Sequence, residues 1–140
     1  MQDVMAKIAE RVAGVSSMEV PPKSFQEMKG EILEYEPGRL TARFPVQTRY
    51  RNPFGFMQGG FVVAAVDNAI GLLSLLEAEP SVTTQLNTTY IRPIGPKVEA
   101  IVIEARVVAK TRGHLYMEAE VAALDKLCVR CFATFAIVDP

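Results

Sequence analysis

One acidic residue interrupts the most apolar stretch of this sequence. Residues 51–76 are RNPFGFMQGGFVVAAVDNAIGLLSLL, with Asp67 inside a long apolar run. A carboxylate resists removal from water, so we expect it either to be satisfied by a structural partner or to serve catalysis, with burial tuning its pKa. In catalysis it would act as a nucleophile or a general base.

The start of the same run could supply hydrogen-bond donors. The segment from Gly59 to about Glu77 is closed by Pro80 and is predicted to be one helix. The N–H groups of Gly59 and Gly60 would then lie at the positive end of the helix dipole, where they can bind a developing oxyanion. Glycine also lets a carbonyl group approach the backbone closely. Together with a carboxylate, such donors would make an acyl-transfer site.

Gln58 and Asp67 are too far apart for one compact site in a single chain. Nine residues on a helix span about 13.5 Å along the axis and about 180° around it. Either the two positions are unrelated, or a two-fold axis brings the helix start of one subunit near the helix middle of its partner. A helix that is apolar all round is expected to be buried all round, and one sheet covers only one side of it. We therefore predict a homodimer.

The composition indicates one folded domain, residues 1–140, in which residues 1–20 form an N-terminal helix and lead-in. The chain is 49% apolar and 22% charged, with a formal net charge of −1. These values favour a globular protein and argue against a nucleic-acid partner. The charges near the N-terminus do not fit a signal peptide, so a cytoplasmic location is expected. The apolar run around Asp67 is too short and too polar for a membrane span, and no membrane partner is expected.

The order of elements predicts an α+β fold. Val4, Ile8 and Val12 recur at helical spacing near the N-terminus. Alternating runs on either side of a turn predict a hairpin over 28–44, and four strands follow the long helix. One face of the LYMEAEVAAL segment is apolar throughout. The expected architecture is a curved antiparallel sheet with one long central helix laid across its apolar face.

The cysteines and the single histidine are predicted to be structural. Cys128 and Cys131 lie in a segment that alternates like a strand, and residues three apart on a strand point to opposite faces. The two thiols therefore cannot converge on a metal ion, and no metal site is expected. His114 follows a turn with no carboxylate near it in sequence, so it is interpreted as a surface or loop-packing residue.

Several spaced motifs resemble one enzyme family. A pattern of the form N-x-x-G-x-x-H-G-G followed by D-N-A is typical of the PaaI/THEM2-type acyl-CoA thioesterases of the hotdog fold. The segments TTQLNTTYIRPI and VVAKTRGHLYMEAEV resemble the strands that follow in that family, and the likeness extends over about 25–139. The motif positions in this chain are Asn52, Gly55, Gln58, Gly59, Gly60, Asp67, Asn68 and Ala69.

The resemblance implies a fold and a reaction. The fold would be the hotdog fold, with a curved sheet wrapped around the long helix, in homodimers often paired into homotetramers. The reaction would be hydrolysis of an acyl-CoA, with an aromatic or medium-chain acyl group, or of an acyl-carrier-protein thioester. It implies no cofactor, because coenzyme A is part of the substrate, and no metal.

The resemblance also implies catalytic roles. Asp67 would attack the thioester or activate water, and the Gly59 N–H would polarise the thioester carbonyl. Asn52 would orient the water or hold its loop, and Thr83 would support the water. Gln58 stands where the family usually has His. Its amide can donate and accept hydrogen bonds but cannot take a proton at neutral pH.

Further residues are candidates for substrate binding. Residues beside the motif could line an acyl or aromatic pocket, and basic residues could contact the phosphates of CoA. Loop packing and solvated surface charge would also explain them. These candidates are Gly60, Phe54, Phe56, Met57, Asn68, Arg92, Lys110 and Arg112.

Two other functions are compatible with parts of this pattern. A non-catalytic acyl-CoA-binding hotdog protein with a degenerate site is the alternative that Gln58 keeps open. A hydratase or dehydratase on the same fold would need a His base paired with an acid. The only histidine is far from the long helix in sequence, so this second alternative is poorly supported.

Overall fold

The structure is a computed structural model that describes residues 2–11 and 19–138. Val12, predicted on the first helix, lies outside these residues. The elements in chain order are α1 (Gln2–Arg11), α2 (Lys23–Glu27), β1 (Glu31–Glu36), β2 (Arg39–Pro45), a 3-10 turn (Thr48–Tyr50), α3 (Gly59–Glu77), β3 (Ser81–Tyr90), β4 (Ala100–Lys110), β5 (His114–Ala123) and β6 (Lys126–Ile137).

The six strands form one antiparallel sheet. Their spatial order is β1-β2-β4-β5-β6-β3, so β1 and β3 are its edges. The predicted α+β architecture is confirmed, including the hairpin, the long helix and the four strands after it. The short helix α2 was not predicted. It precedes β1, which therefore begins at Glu31 rather than near Met28, and it buries Phe25 in the core.

One side of α3 packs across a face of the sheet. Its buried residues contact apolar side chains of β2, β4 and β5. Each fully buried Val, Leu or Ile contributes about 1.5–3 kcal/mol relative to an exposed one, so this packing fixes how α3 is rotated about its axis. The buried apolar residues of α3 are Val62, Ala65, Val66, Ala69, Ile70, Leu72, Leu73 and Leu76.

The other side of α3 is not covered by the sheet. Gly60 and Asp67 are exposed there, and Val63, Ala64 and Leu75 are only half-buried. The helix is thus not buried all round within one chain, and a second protein surface over this side remains a prediction. By length and composition alone α3 could cross a membrane. Half of that apolar window is buried inside the fold, as in the core helix of a globular domain.

Hydrogen bonds fix the C-terminal end of α3. The Glu77 carboxylate accepts hydrogen bonds from the Tyr35 hydroxyl and the Gly38 amide, each at 2.7 Å. Burial, followed by the hydrogen bond and charge of Glu77, raises the pKa of Tyr35 to about 12, so the phenol stays a donor at neutral pH. Arg11 donates to the Ala78 carbonyl at 2.7 Å. The first helix and the β1–β2 turn therefore both hold this helix end.

Other side-chain expectations agree with the structure. Val4 and Ile8 are buried against the domain. Cys128 and Cys131 are both buried and free, and His114 is exposed.

Gly30 should be the most demanding glycine for core packing. A Cβ added there would lie 2.7 Å from the rings of both Phe25 and Phe44, which pack edge to face at 5.4 Å. We expect Gly30→Ala to lower the free energy of unfolding by about 1–3 kcal/mol through overpacking, measured by urea denaturation. Gly113→Ala is the control, because its Cβ would meet no atom within 4 Å. Equal stability of the two variants would contradict the packing described.

Candidate active site

Asp67 lies at the middle of α3, on the side that the sheet leaves uncovered. Its side chain is exposed in the single chain. The expectation of a buried carboxylate is therefore wrong for one chain without a partner. The reason is that the sheet covers only one side of the helix. Asp67 lines a groove of about 390 Å³ between α2, α3 and β3. Leu75 and Val82 give this groove apolar walls, so an apolar chain and a carboxylate can meet in it.

A β-bulge brings Thr83 to Asp67. Thr83 Oγ1 donates a hydrogen bond to Asp67 Oδ1 at 3.1 Å. The register of β3 against β6 shifts between Thr83 and Gln85, which leaves Thr84 as an extra residue. Side chains alternate along a strand, so a regular β3 would turn Thr83 to the same face as Gln85, away from α3. The bulge thus creates the pair of polar groups in the groove.

The start of α3 borders a second cavity. This cavity has a volume of about 400 Å³ and is lined by Gly59, Val62 and residues 90–94. The Tyr90 hydroxyl donates to the Gly59 carbonyl at 2.9 Å and so holds the end of β3 against the helix start. Burial, with a smaller effect from Cys131, raises the pKa of Tyr90 above its ordinary value. The phenol therefore stays protonated at neutral pH and keeps this hydrogen bond.

The first amides of α3 are available to a ligand. Gln58 precedes the helix in an extended conformation and makes no side-chain hydrogen bond that caps it. The amides of the third and fourth helical residues donate to the Gln58 carbonyl, whereas the Gly59 and Gly60 amides have no acceptor within the part of the chain that the structure describes. Amides at a helix start carry partial positive charge. They can hold an anionic oxygen.

Asn52 holds the loop that leads into α3. Its side-chain Oδ1 accepts hydrogen bonds from the backbone amides of Phe54 and Phe56, each at 3.0 Å. The backbone amide of Asn52 donates to the Phe56 carbonyl at 2.7 Å. Gly55 completes this turn with a φ of +87°, which favours glycine. Of the two roles implied for Asn52, these bonds support holding the loop, and orienting a water remains a prediction.

The three apolar residues of this loop are placed differently. Phe54 is 80% exposed, and Phe56 is half-buried. Met57 is buried and lines the cavity at the start of α3. Only Met57 among them therefore borders that cavity.

Asn68 ties α2 to α3. Its Oδ1 accepts a hydrogen bond from Ser24 Oγ at 2.8 Å, and its Nδ2 donates to the Ala64 carbonyl at 3.0 Å. Both Ser24 and Asn68 border the Asp67 groove. These bonds make Asn68 a residue that fixes one wall of the groove, and direct contact with a substrate remains a prediction.

The three candidate basic residues do not lie together. Arg92 lines the cavity at the start of α3. Lys110 lies near the other end of the helix, where it donates to the Glu77 carbonyl at 3.3 Å and pairs with Glu79 at 3.5 Å. Arg112 is exposed in the β4–β5 turn. The structure therefore separates Lys110 and Arg112 from the amides of the helix start.

Within one chain the carboxylate and the amides stay apart. Asp67 and Gly59 line different cavities, and the helical rise separates them by about 12 Å along α3. This agrees with the expectation that one chain alone does not form a compact site. No group of three His, Cys, Asp or Glu side chains that could hold a metal ion occurs in residues 2–11 and 19–138.

Comparison with known families identifies the class of protein. The sequence profile of the Thioesterase superfamily matches residues 54–129, which is more than half of the chain and includes all of α3. The chain belongs to the Thioesterase superfamily. The predicted hotdog fold, the resemblance to the PaaI/THEM2 type and the prediction of a thioesterase enzyme are thereby confirmed.

Several individual proteins are similar to this thioesterase. Acyl-coenzyme A thioesterase 13 of Homo sapiens is 27% identical over 107 residues, which cover 74% of this chain and 76% of that protein. A mutant of the phenylacetic acid degradation protein PaaI from Thermus thermophilus has a TM-score of 0.76 at 24% identity, over 81% and 97% of the two chains. A Streptococcus mutans protein bound to acetyl CoA has a TM-score of 0.73 at 21% identity, over 78% and 88%. The two structures show a shared fold.

Three polar residues around these cavities were not identified from the sequence. Ser24 and Tyr90 form the hydrogen bonds described above. Ser81 Oγ is buried beside the Asp67 groove and has no hydrogen-bond partner in the described part of the chain. The aromatic end of a β-branched strand could have drawn attention to Tyr90. No sequence pattern pointed to the two serines, because the residues that they contact in the fold are remote in sequence.

Thr83 should matter for turnover in this thioesterase. Thr83→Val keeps the shape of the side chain and removes the hydrogen bond to Asp67, so we expect kcat for a thioester substrate to fall roughly tenfold, measured by free-thiol release. Thr89→Val is the matched control, because Thr89 lies on the opposite face of β3. A loss of the same size in both variants would show that the effect comes from the strand and not from the pair with Asp67.

Proposed function

We propose that this thioesterase hydrolyses an acyl-CoA to a free acid and CoA at a site shared by two chains. The observation that carries the proposal is the separation of two complementary parts. Unbonded amides at the start of α3 and the pair of Asp67 with Thr83 both border cavities, yet they lie about 12 Å apart along one helix. A two-fold axis across the uncovered side of α3 would bring the amides of one chain to the carboxylate of the other.

The chemistry follows from these two parts. The Gly59 amide, with Gly60 beside it, donates to the thioester oxygen and stabilises the oxyanion that develops there. Asp67 either attacks the carbonyl carbon, which expels the CoA thiolate and forms an acyl-enzyme anhydride that water then hydrolyses to the free acid, or takes a proton from the water that attacks the carbonyl and expels the thiolate. Thr83 orients the carboxylate. Gln58 can orient a neighbour by hydrogen bonding but takes no proton at neutral pH.

The proposed substrate is a thioester of coenzyme A with an aromatic or medium-chain acyl group. The human relative is an acyl-coenzyme A thioesterase by name, and the Streptococcus mutans protein binds acetyl CoA. The apolar walls of the Asp67 groove suit an apolar acyl group. We further propose that the enzyme is cytoplasmic, needs no cofactor and acts without a nucleic-acid or membrane partner.

Asp67 is the residue on which the proposal depends most. Asp67→Asn is nearly isosteric and uncharged, so it can neither attack nor accept a proton, and we expect kcat to fall by about 10²–10⁴-fold. The assay is thiol release from a panel of acyl-CoAs. Asp3→Asn, an exposed position on α1, is the matched control. Unchanged turnover in Asp67→Asn would refute the assigned role.

The Gly59 amide can be deleted without breaking the helix. Proline is favoured at the first helical position, and Gln58 already has the extended conformation that a residue before proline prefers. Gly59→Ala is the control, because its Cβ also comes within 2.9 Å of the Tyr90 hydroxyl while its N–H remains. We expect kcat to be about 10²–10³-fold lower in Gly59→Pro than in Gly59→Ala. Equal rates would exclude this amide as an oxyanion donor.

The shared site predicts subunit complementation. Size-exclusion chromatography with light scattering should give two or four times the chain mass of 15.4 kDa. Co-expression of Asp67→Asn with Gly59→Pro should restore about a quarter of wild-type activity, because half of the dimers are mixed and each has one intact site. A monomer, or an inactive mixture, would contradict a site built from two chains.

A non-catalytic acyl-CoA-binding protein is the second candidate. The specific observation in its favour is Gln58, which stands at the family's usual His position and is exposed beside the amide donors. Calorimetry that detected acyl-CoA binding without thiol release would support it. Gain of turnover in Gln58→His would then identify this position as the cause.

A further inference from the structure

Tyr90 makes a hydrogen bond that neither the sheet nor the long helix requires. Its hydroxyl donates to the Gly59 carbonyl at 2.9 Å. In an α-helix that carbonyl is already the acceptor of the amide four residues further on. Tyr90 is also the last residue of β3, where its backbone is paired with Val129 of β6. The hydroxyl is therefore a second donor to a carbonyl whose regular partner lies within α3.

The ring of Tyr90 lies directly against the helix start. A Cβ added at Gly59 would be 2.9 Å from the Tyr90 hydroxyl oxygen and within 3.1 Å of two of its ring carbons. A side chain at position 59 would therefore displace the ring, whereas glycine lets it approach the backbone. Tyr90 lines the same cavity as Gly59 and is 53% exposed. The phenol is thus fixed at the edge of the cavity by one specific contact.

The carbonyl that accepts this bond belongs to the same peptide group as the Gly60 amide. The nitrogen and oxygen of a peptide are conjugated, so a hydrogen bond to the oxygen makes the N–H of that peptide a stronger donor. The preceding peptide shows the same pattern without a side chain. The Gln58 carbonyl accepts hydrogen bonds from the amides of the third and fourth helical residues, at 3.0 and 3.3 Å, and its peptide carries the Gly59 N–H.

Two adjacent amides at the helix start remain for a ligand. The Gln58 amide donates to the Tyr50 carbonyl at 2.8 Å, and the third and fourth helical amides donate to the Gln58 carbonyl. The Gly59 and Gly60 amides between them have no acceptor among the described residues. Adjacent amides at a helix N-terminus can hold one anionic oxygen. The hydrogen bond of Tyr90 therefore acts on the second of these two donors.

We propose that Tyr90 is a positioning residue for hydrolysis, which orients and polarises the Gly59–Gly60 peptide so that the Gly60 amide acts as a second oxyanion donor. This inference rests on the proposed function, since it takes the thioester oxygen to lie at the start of α3. Tyr90 acts through the peptide and not on the substrate. Because the oxyanion develops only in the transition state, Tyr90 affects kcat and not KM.

The first test removes the hydroxyl and keeps the ring. Polarisation by one bond supplies roughly a tenth to a third of the free energy of a donor that is worth about 10²–10³ in rate. Tyr90→Phe should therefore lower kcat for an acyl-CoA by about twofold to eightfold and leave KM unchanged. Tyr116→Phe is the matched control, because it removes a hydroxyl from β5, outside the cavity at the start of α3. Unchanged kcat in Tyr90→Phe would overturn the proposal while leaving the hydrolase function intact.

A double-mutant cycle tests whether Tyr90 acts through the Gly60 amide. Gly60→Pro deletes this N–H in the first turn of α3, where proline is tolerated. Gly60→Ala keeps it, and its Cβ would meet no atom within 4 Å. Tyr90→Phe should lower kcat by about twofold to eightfold in the Ala background and leave it unchanged in the Pro background. An equal loss in both backgrounds would overturn the proposal, because a purely structural effect of Tyr90 does not depend on that amide.

Nitrogen NMR tests the polarisation without turnover. Loss of a hydrogen bond to a peptide carbonyl moves the nitrogen resonance of that peptide upfield, so Tyr90→Phe should shift Gly60 more than Gly59. Tyr116→Phe should shift neither of them. If the wild type hydrolysed no acyl-CoA, the proposed function would fail and this measurement would decide separately. A shifted Gly60 resonance would then support the polarised amide, and an unshifted one would overturn it.

Discussion

The structure depends on one constraint: a single sheet covers only one side of an apolar helix. Burial of the covered side fixes the rotation of α3, and that rotation turns Asp67 outward. The same packing leaves Val63, Ala64 and Leu75 half-exposed in one chain. The Asp67 carboxylate therefore lies on the side of the helix that the sheet leaves uncovered. Core packing therefore sets the position of Asp67 without contacting its side chain.

The edge strand β3 connects both ends of the candidate site. At its C-terminal end Tyr90 binds the carbonyl of Gly59 at the helix start, and beyond the bulge Thr83 binds Asp67 at the helix middle. Thr83 and Tyr90 are an odd number of residues apart, so in a regular strand their side chains would point to opposite faces. The bulge at Thr84 resolves this conflict by inserting one residue. An irregularity of the sheet thus brings two polar side chains of the candidate site together.

The motif residues divide into those that border a cavity and those that hold the frame. Gly59 and Asp67 border the two cavities. The side-chain oxygen of Asn52 accepts hydrogen bonds from two backbone amides, and Asn68 links α3 to Ser24 of α2. A frame held by such hydrogen bonds keeps the helix start and the groove wall rigid, as precise positioning requires. Some motif residues of the family are therefore structural and others are candidates for chemistry. The hydrogen bonds and cavities of the folded chain distinguish these two groups.

Apolar periodicity and motif spacing predicted the long helix, the hairpin, the four strands and the family, because both are local properties of a sequence. The sequence also determined that Gln58 and Asp67 could not meet within one chain, since helical geometry fixes their separation. The packed fold was needed to establish that Asp67 is exposed, that a bulge turns Thr83 toward it and that Ser24 forms a hydrogen bond with Asn68. The same holds for the ion pair of Lys110 with Glu79. Each of these depends on which elements pack together, and that is set by contacts between residues remote in sequence.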